Sequence, residues 1–309
     1  MKLRLPLLLI IILCSFNSFA QDEKSIEKDL VSCFKKRAIY NDSIMLKYDI
    51  DPPHSGMFIA TDSSVKGFST PIVPVDTNLA NRVLYYTSKY PITLTADFQL
   101  LQAQDVNIMS SDDSLLRIYV WEEQHNMVRR FYRAVFQYKA GSKVNSCLLP
   151  HPDTSLTGAT QAFFDNVYTL VTANKTYYLA TYINKYTPTN REEGVKVFSI
   201  DSVKVKNKMK YHLNDTVHLF KTKTGLHNEL SYKYDIVTSG DAGSDNGISY
   251  DSASQSIEIP VITESGKMTE SHITYKFKGQ YFERVVEEEK PKAAKKKLKS
   301  KKTATNTTN

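Results

Sequence analysis

Between Ser111 and Tyr138 apolar and polar side chains alternate with a period of two in two separate runs. Leu116, Ile118 and Val120 form one face against Arg117, Tyr119 and Trp121, and Tyr132, Ala134, Phe136 and Tyr138 form another against Arg133, Val135 and Gln137. This is the pattern of strands with one apolar face. The linker from Glu122 to Val128 is short and polar, so the two runs are predicted to pair as an antiparallel hairpin.

Similar patterns recur along most of the chain. Strands are expected at Val83 to Thr87, Val106 to Ser110, Val167 to Thr172 and Tyr177 to Ile183. Val195 to Ile200 is expected to turn at Asp201-Ser202 into Val203-Lys204-Val205, with Val217 to Thr222 and Leu230 to Val237 following, joined around Gly225. The last group is Ile248 to Tyr250, Ile257 to Ile262, Ile273 to Phe277 and Tyr281 to Val286, with turns at Gly266-Lys267 and Lys278-Gly279. Pro260 has no N–H to give a ladder and predicts an edge or a bulge. A short helical turn is expected at Asp97 to Gln102.

Helical spacing is confined to Gln21 to Lys47, where Ile26, Leu30, Cys33, Phe34 and Ala38 recur on one side of a predicted surface helix. Pro52, Pro53, Gly56, Gly67, Pro71 and Pro74 mark irregular connection after it. The chain is thus expected to be mainly β, built of antiparallel meander units in a propeller-like arrangement, the alternative being a β-sandwich, with one N-terminal helix. Its predicted divisions are a signal peptide (1–20), the helix and irregular connection (21–81), a β-rich domain (82–286) and a Lys-rich tail (287–309) with no apolar face to bury, expected to be disordered.

The leader changes the picture by setting the compartment. Lys2 and Arg4 precede the apolar run Leu5 to Leu13, and Ser18-Phe19-Ala20 supplies a small-x-small site with cleavage expected between Ala20 and Gln21. The run is far shorter than the ~20 residues a spanning helix needs, and no later stretch of the mature chain reads as a transmembrane segment. Cys14 follows Leu13, the wrong context for lipidation. The protein is therefore expected to be exported and periplasmic, secreted or envelope-associated.

Ser111-Asp112-Asp113 leading into Leu116 to Trp121, and the closing run Tyr275 to Val285, resemble blocks of uncharacterised exported β-rich proteins from Bacteroidota-type bacteria. The resemblance covers roughly Leu84 to Val286 and implies an exported β fold with no catalytic residues to carry over. Where such relatives carry Gly after the acidic turn, this chain has Ser114.

Formal charge is +7, but it is unevenly placed. With the leader's two basic residues and the eight basic and three acidic residues of 287–302 set aside, residues 21–286 carry 30 basic and 30 acidic side chains. The global excess therefore says nothing about a basic face on the folded part. In the tail, Lys295, Lys296, Lys297, Lys299, Lys301 and Lys302 are candidate contacts for a polyanion, against the alternative of a solubilising tail.

Two cysteines survive cleavage, Cys33 and Cys147. In an oxidising compartment they are candidates for a disulfide, the alternative being two buried thiols. His212 and His218 are the nearest pair among seven histidines, no zinc spacing is present, and no metal or other cofactor is expected. Asp241, Ser244, Asp245 and Asn246 offer oxygen ligands in a Gly-rich loop but depart from EF-hand spacing. The acid pairs Asp112-Asp113, Glu122-Glu123 and Glu192-Glu193 are candidates for glycoside hydrolysis, although adjacency does not set two carboxyls across a substrate. No nucleophile elbow, phosphate loop or dinucleotide fingerprint occurs. The 33 Tyr and Phe residues and Trp121 suit either ring-stacking on a ligand or ordinary strand packing. Asp42-Ser43-Ile44, Asp201-Ser202-Val203 and Asp215-Thr216-Val217 resemble the O-glycosylation signal of exported proteins in such bacteria. Taken together, these readings lead to an exported non-enzymatic binding or envelope-structural protein, with an envelope glycan, polyanion or protein as partner. The alternative is a glycan hydrolase.

Overall fold

The computed structural model describes residues 23–37, 77–125, 130–149, 162–206, 208–239 and 247–285. Within them the chain is mainly β. Helix α1 (23–37) and helix α2 (Thr77–Lys89) precede a 3-10 turn, Pro91–Leu94, and the single turn α3 (Gln99–Gln102). The first sheet is the meander β1 (Asn107–Ser110), β2 (Leu116–His125), β3 (Arg130–Ala140) and β4 (Lys143–Leu148). The chain then runs through β5 (Phe163–Val171), β6 (Thr176–Lys185), β7 (Asn190–Val205), β8 (Lys208–Asn214), β9 (Phe220–Thr222), β10 (Gly225–His227) and β11 (Glu229–Asp235). After the single turn α4 (Ile236–Ser239) come β12 (Ser249–Asp251), β13 (Ser256–Ile262), β14 (Met268–Phe277) and β15 (Phe282–Arg284). The middle sheet has the order β11-β7-β6-β5, with β8 on the outer half of β7, and the last sheet runs β10-β9-β15-β14-β13-β12. Every pairing is antiparallel except β15 with β9.

Strand parity explains why these elements stack in layers. On β2 and β3, Leu116, Ile118, Val120, Ala134 and Phe136 point into a core shared with Phe164, Tyr178, Ala180 and Phe198 of the middle sheet. Phe136, Phe164 and Phe198 meet with ring centroids 4.9 to 6.1 Å apart, each a burial worth about 1.5–3 kcal/mol. The opposite parity, Tyr119, Trp121 and Val135, packs under the helices with Ile26, Leu30 and Phe34 of α1 and Leu79 and Val83 of α2. Phe34 meets Trp121 edge to face at 5.7 Å. The far face of the middle sheet, through Leu170, Leu179, Val195 and Val197, packs on Phe220, Ile257 and Phe282 of the last sheet. The layers are thus helices, first sheet, middle sheet, last sheet. Among the described residues the sheets close no ring.

Several expectations change. Val83 to Thr87 is helix, not strand: Leu79, Ala80, Val83 and Thr87 are buried at helical spacing while Tyr85 stands 44% exposed. The β-branched and aromatic content of Val-Leu-Tyr-Tyr-Thr suits a strand, but packing on the first sheet overrides it. The chain consequently has more than one N-terminal helix, and a boundary at residue 82 would cut α2. Asp201-Ser202 is no turn, because β7 continues through both to Val205 and pairs there with β8, a strand the sequence reading missed along with β4. The hairpin of β2 and β3 forms as expected, although the strands extend into the polar linker to His125 and from Arg130. The register shifts between Pro260 and Ile262, the bulge that Pro260 predicted. Ser114, where a left-handed residue is needed, sits at φ 55°.

Polar residues of the helix-facing side of the first sheet reach into the helical layer, although the buried Nε of Arg117 has no hydrogen-bond partner there. Arg117 donates to the Ala96 carbonyl at 2.5 Å, and Gln137, fully buried, donates to the Thr87 carbonyl and to Thr93 Oγ1, each at 2.8 Å. Asp29 of α1 accepts from Arg82 Nε at 2.6 Å and Tyr86 at 2.8 Å, which ties the two helices together.

Candidate functional site

Among the described residues two recesses hold polar side chains, one narrow and one wide. The narrow one lies between the middle and last sheets. A bulge in β5 between Phe164 and Asn166 leaves Asp165 without a ladder partner, and its carboxylate accepts from the Thr181 hydroxyl of β6. Glu193 of β7 is only 7% exposed and accepts from the hydroxyls of Tyr232, its cross-strand partner on β11, and Tyr234, the latter at 2.6 Å. Asp165, Thr181 and Glu193 line one cavity of about 100 Å³ together with Gly247 and Ile248.

Burial pushes both carboxyls above the ordinary carboxylate range. Thr181 partly offsets this at Asp165, and the two tyrosine hydroxyls at Glu193, where the charge of Asp165 pushes the same way as burial. Burial, then the charge of Glu193, raises Tyr232, and burial with the Glu193 hydrogen bond raises Tyr234, so both phenols stay donors. The cavity has room for a few waters at about 30 Å³ each, against the roughly 300–1,000 Å³ of small-molecule sites.

The open recess is a cleft of about 470 Å³ where the β3–β4 turn meets β8, lined by Ser142, Lys143, Asn145, Met209, Lys210 and Tyr211. Gly141, at φ 62°, makes the tight turn, and the Tyr138 hydroxyl donates to the Tyr211 carbonyl at 3.4 Å. Cation, amide, hydroxyl and aromatic ring thus face solvent together.

The structure redistributes the candidate residues. Glu192 and Glu193 point to opposite faces of β7: Glu192 accepts from Ser231 at 2.7 Å and from Tyr186, so the acid pair of the recess is the buried Glu193 with Asp165, which is exposed at its rim, far apart in sequence. Asp113 accepts from Ser111 at 2.6 Å and Tyr178 at 3.0 Å, a structural role inside the turn and the core edge. Glu193 could have been found from its parity with Val195 and Val197, whereas the bulge that frees Asp165 leaves no mark in the pattern. Cys33 and Cys147 are not joined: Cys33 packs on the helix-side cluster, while Cys147, opposite Phe136 on β4, faces the core between the first and middle sheets. In this arrangement the candidate disulfide is not formed, and the two thiols lie on opposite faces of the first sheet. The tail lysines Lys295, Lys296, Lys297, Lys299, Lys301 and Lys302, and Asp241, Ser244, Asp245 and Asn246, lie outside the described residues. Among the described residues no group of His, Cys, Asp and Glu could hold a metal ion, and no helix is long and apolar enough to cross a membrane.

No family model matches the chain, and no curated protein matches it. Among solved structures it is similar to Trypanosoma rangeli sialidase in complex with sialic acid, at 10% identity and a TM-score of 0.22, over 58% of this chain and 37% of that one. The same sialidase with a difluoro-KDN ligand gives 10% identity and a TM-score of 0.22 over 58% and 36%. The chain spans little more than a third of those structures, and at these values nothing is carried over from them.

Proposed function

We propose that this protein is an exported, non-enzymatic binding module of the cell envelope whose ligand is an envelope polymer. The observation that carries this reading is the division of the two recesses: Asp165 and Glu193 are held by hydrogen bonds around a space of about 100 Å³, whereas the recess with room for a ligand, about 470 Å³, is open and basic. Export rests on the leader pattern ending at Ala20. The tail lysines, Lys295 to Lys302, would add a salt-sensitive second contact to the same kind of polymer.

Titration of the chain starting at Gln21 with purified acidic envelope polysaccharide tests this, with reducing ends assayed in the same samples. Saturable binding without release of reducing ends is expected. The Asp165–Glu193 pair supports a second reading, glycan hydrolysis. Release of reducing ends that disappears in Glu193→Gln and Asp165→Asn would replace the binding reading with that one.

A further inference from the structure

The outer half of β7 leaves the body of the protein. Residues Asn190 to Phe198 are paired to β6 or β11, but Ser199 to Val205 pair with β8 alone, so β7 and β8 project as a two-stranded arm. Its base is covered, with Ser199 buried and Ile200 and Leu213 packed on the core, while from Ser202 to His212 the described residues are exposed on both faces, Val203 at 50% and Met209 at 51%. From Ser202 to Asn214 the sequence holds Lys204, Lys206, Lys208, Lys210 and His212 and no acidic residue. The acids that flank the arm are engaged elsewhere: Asp201 with Lys175, Ser199 and Asn214, and Asp215 with Lys196 at 2.9 Å. Among the described residues no carboxylate makes an ion pair with any of the four arm lysines. The charges of residues 21–286 balance only with these four lysines counted, so the arm is a local concentration of positive charge, Lys208 and Lys210 on one face and Lys204 on the other, with same-strand lysines about 7 Å apart. The open cleft lies along its outer half, where Met209, Lys210 and Tyr211 meet the β3–β4 turn.

We propose that the β7–β8 arm and the cleft between its outer half and the β3–β4 turn form the seat of an acidic polysaccharide, the arm lysines meeting the anionic groups and Tyr211, Asn145 and Ser142 receiving one sugar unit in the cleft. This deepens, and rests on, the binding reading given above. Charge complementarity selects a polyanion, and the remaining chemistry selects its class. Arginine, the residue suited to bidentate phosphate and guanine recognition, is absent from Ser202 to Asn214, and Tyr211 is the single aromatic there, so there is no stacking platform for successive bases. A membrane surface asks for one apolar and one charged face. Here each face is mixed, Lys208 and Lys210 lying opposite Val205 and Val203, and Lys204 opposite Met209. A polar cleft with an exposed phenol ring beside the arm fits a sugar ring.

The test titrates a heparin octasaccharide, as the acidic polysaccharide probe, into the chain starting at Gln21 over a salt series. A variant with Lys204, Lys206, Lys208 and Lys210 all changed to Gln is expected to bind at least about tenfold more weakly at low salt. Its dependence of log affinity on log salt should be flatter by about three, at roughly 0.7 per lost contact. Tyr211→Ala is expected to weaken binding while leaving the salt slope unchanged. Because the lysines are exposed, circular dichroism should show the fold retained; the pair Lys208→Glu with Lys210→Glu provides a second variant expected to lose more than the neutral one. Unchanged binding in the arm variants, with loss only when Lys295, Lys296, Lys297, Lys299, Lys301 and Lys302 are changed, overturns the arm while leaving the binding reading in place. A single-stranded DNA of equal charge, or anionic phospholipid vesicles, held more tightly than heparin overturns the polysaccharide. Binding to none of these probes and to no envelope polysaccharide overturns both readings.

Discussion

Gly194 lies beneath the ring of its cross-strand partner Tyr182, so close that a β-carbon at that position would sit 2.4 Å from the ring. The missing side chain lets Tyr182 lie across β7 and give its hydroxyl to Glu229 of β11, which joins three strands of the middle sheet through one residue. Gly194→Ala is expected to cost about 1–3 kcal/mol, the range of overpacking in a filled core, because the ring must move and its hydrogen bond goes with it. Urea unfolding measures this. A variant as stable as the parent would mean that Tyr182 yields without loss.

The pair Asp165 and Glu193 sets a pH dependence of definite sign. Each carboxyl is raised on folding, chiefly by burial, so over the window between its unfolded and folded values the native chain holds protons that the unfolded chain has released. Stability from these two groups is fully present below the ordinary carboxylate range and declines as pH rises through their folded values. Asp29 and Asp201 act oppositely, since both are lowered in the fold: Asp29 by the Arg82 hydrogen bond and Asp201 by hydrogen bonds from Lys175, Asn214 and Ser199 that outweigh burial. To isolate this pair, melting temperatures of Glu193→Gln and Asp165→Asn are compared with the parent from pH 4 to pH 8. The difference should move in favour of the variants as pH rises, and parallel curves would show that the carboxyls carry no such linkage.

What the sequence made legible is what parity makes legible. Leu116, Ile118 and Val120 alternate because one face of β2 meets a second sheet, and the hairpin with β3 follows directly. Parity did not reveal that Arg117, Tyr119 and Trp121 are covered too, because an Arg on a strand reads as a solvent face until a carbonyl such as that of Ala96 is brought to it by another layer. Nor did it separate Val83 to Thr87 from a strand, since four of the five residues are of β-favouring type and are helical here through their packing on the first sheet. The candidate site was hidden for a similar reason. Asp165 enters the cavity through a bulge, and Glu193 meets it across two sheet positions that no local spacing encodes.

The placement of the two cysteines leads to a redox prediction. A bond closing the loop between Cys33 and Cys147 would contribute roughly 4–5 kcal/mol, so reduction would lower the melting temperature by many degrees. With the thiols on opposite faces of the first sheet, dithiothreitol is expected to leave the melting temperature unchanged, and alkylation of the unfolded, unreduced chain should add two labels by mass. Burial pushes the Cys147 thiol up to about 11, with the Asp215 charge acting in the same direction, so this residue should label slowly in the native protein at pH 8. A shift in melting temperature on reduction, or a mass two protons short before alkylation, would put the sulfurs together after all.

Gln137 supplies the last prediction, and it concerns how the helical layer is held. Its amide is fully buried and bridges the Thr87 carbonyl near the end of α2 to the Thr93 hydroxyl in the turn that follows, at 2.8 Å each. Gln137→Leu keeps the bulk and removes both donors, leaving a buried carbonyl without its partner at a cost of about 1–3 kcal/mol. The loss should be local as well as global. Amide exchange in residues 86–96 is expected to accelerate relative to the middle sheet, because α2 would keep its apolar contacts through Leu79 and Val83 while its last turn loses its polar anchor. Uniform acceleration across all three sheets would instead mean that the helices and sheets unfold as one unit, with Gln137 contributing only to the whole.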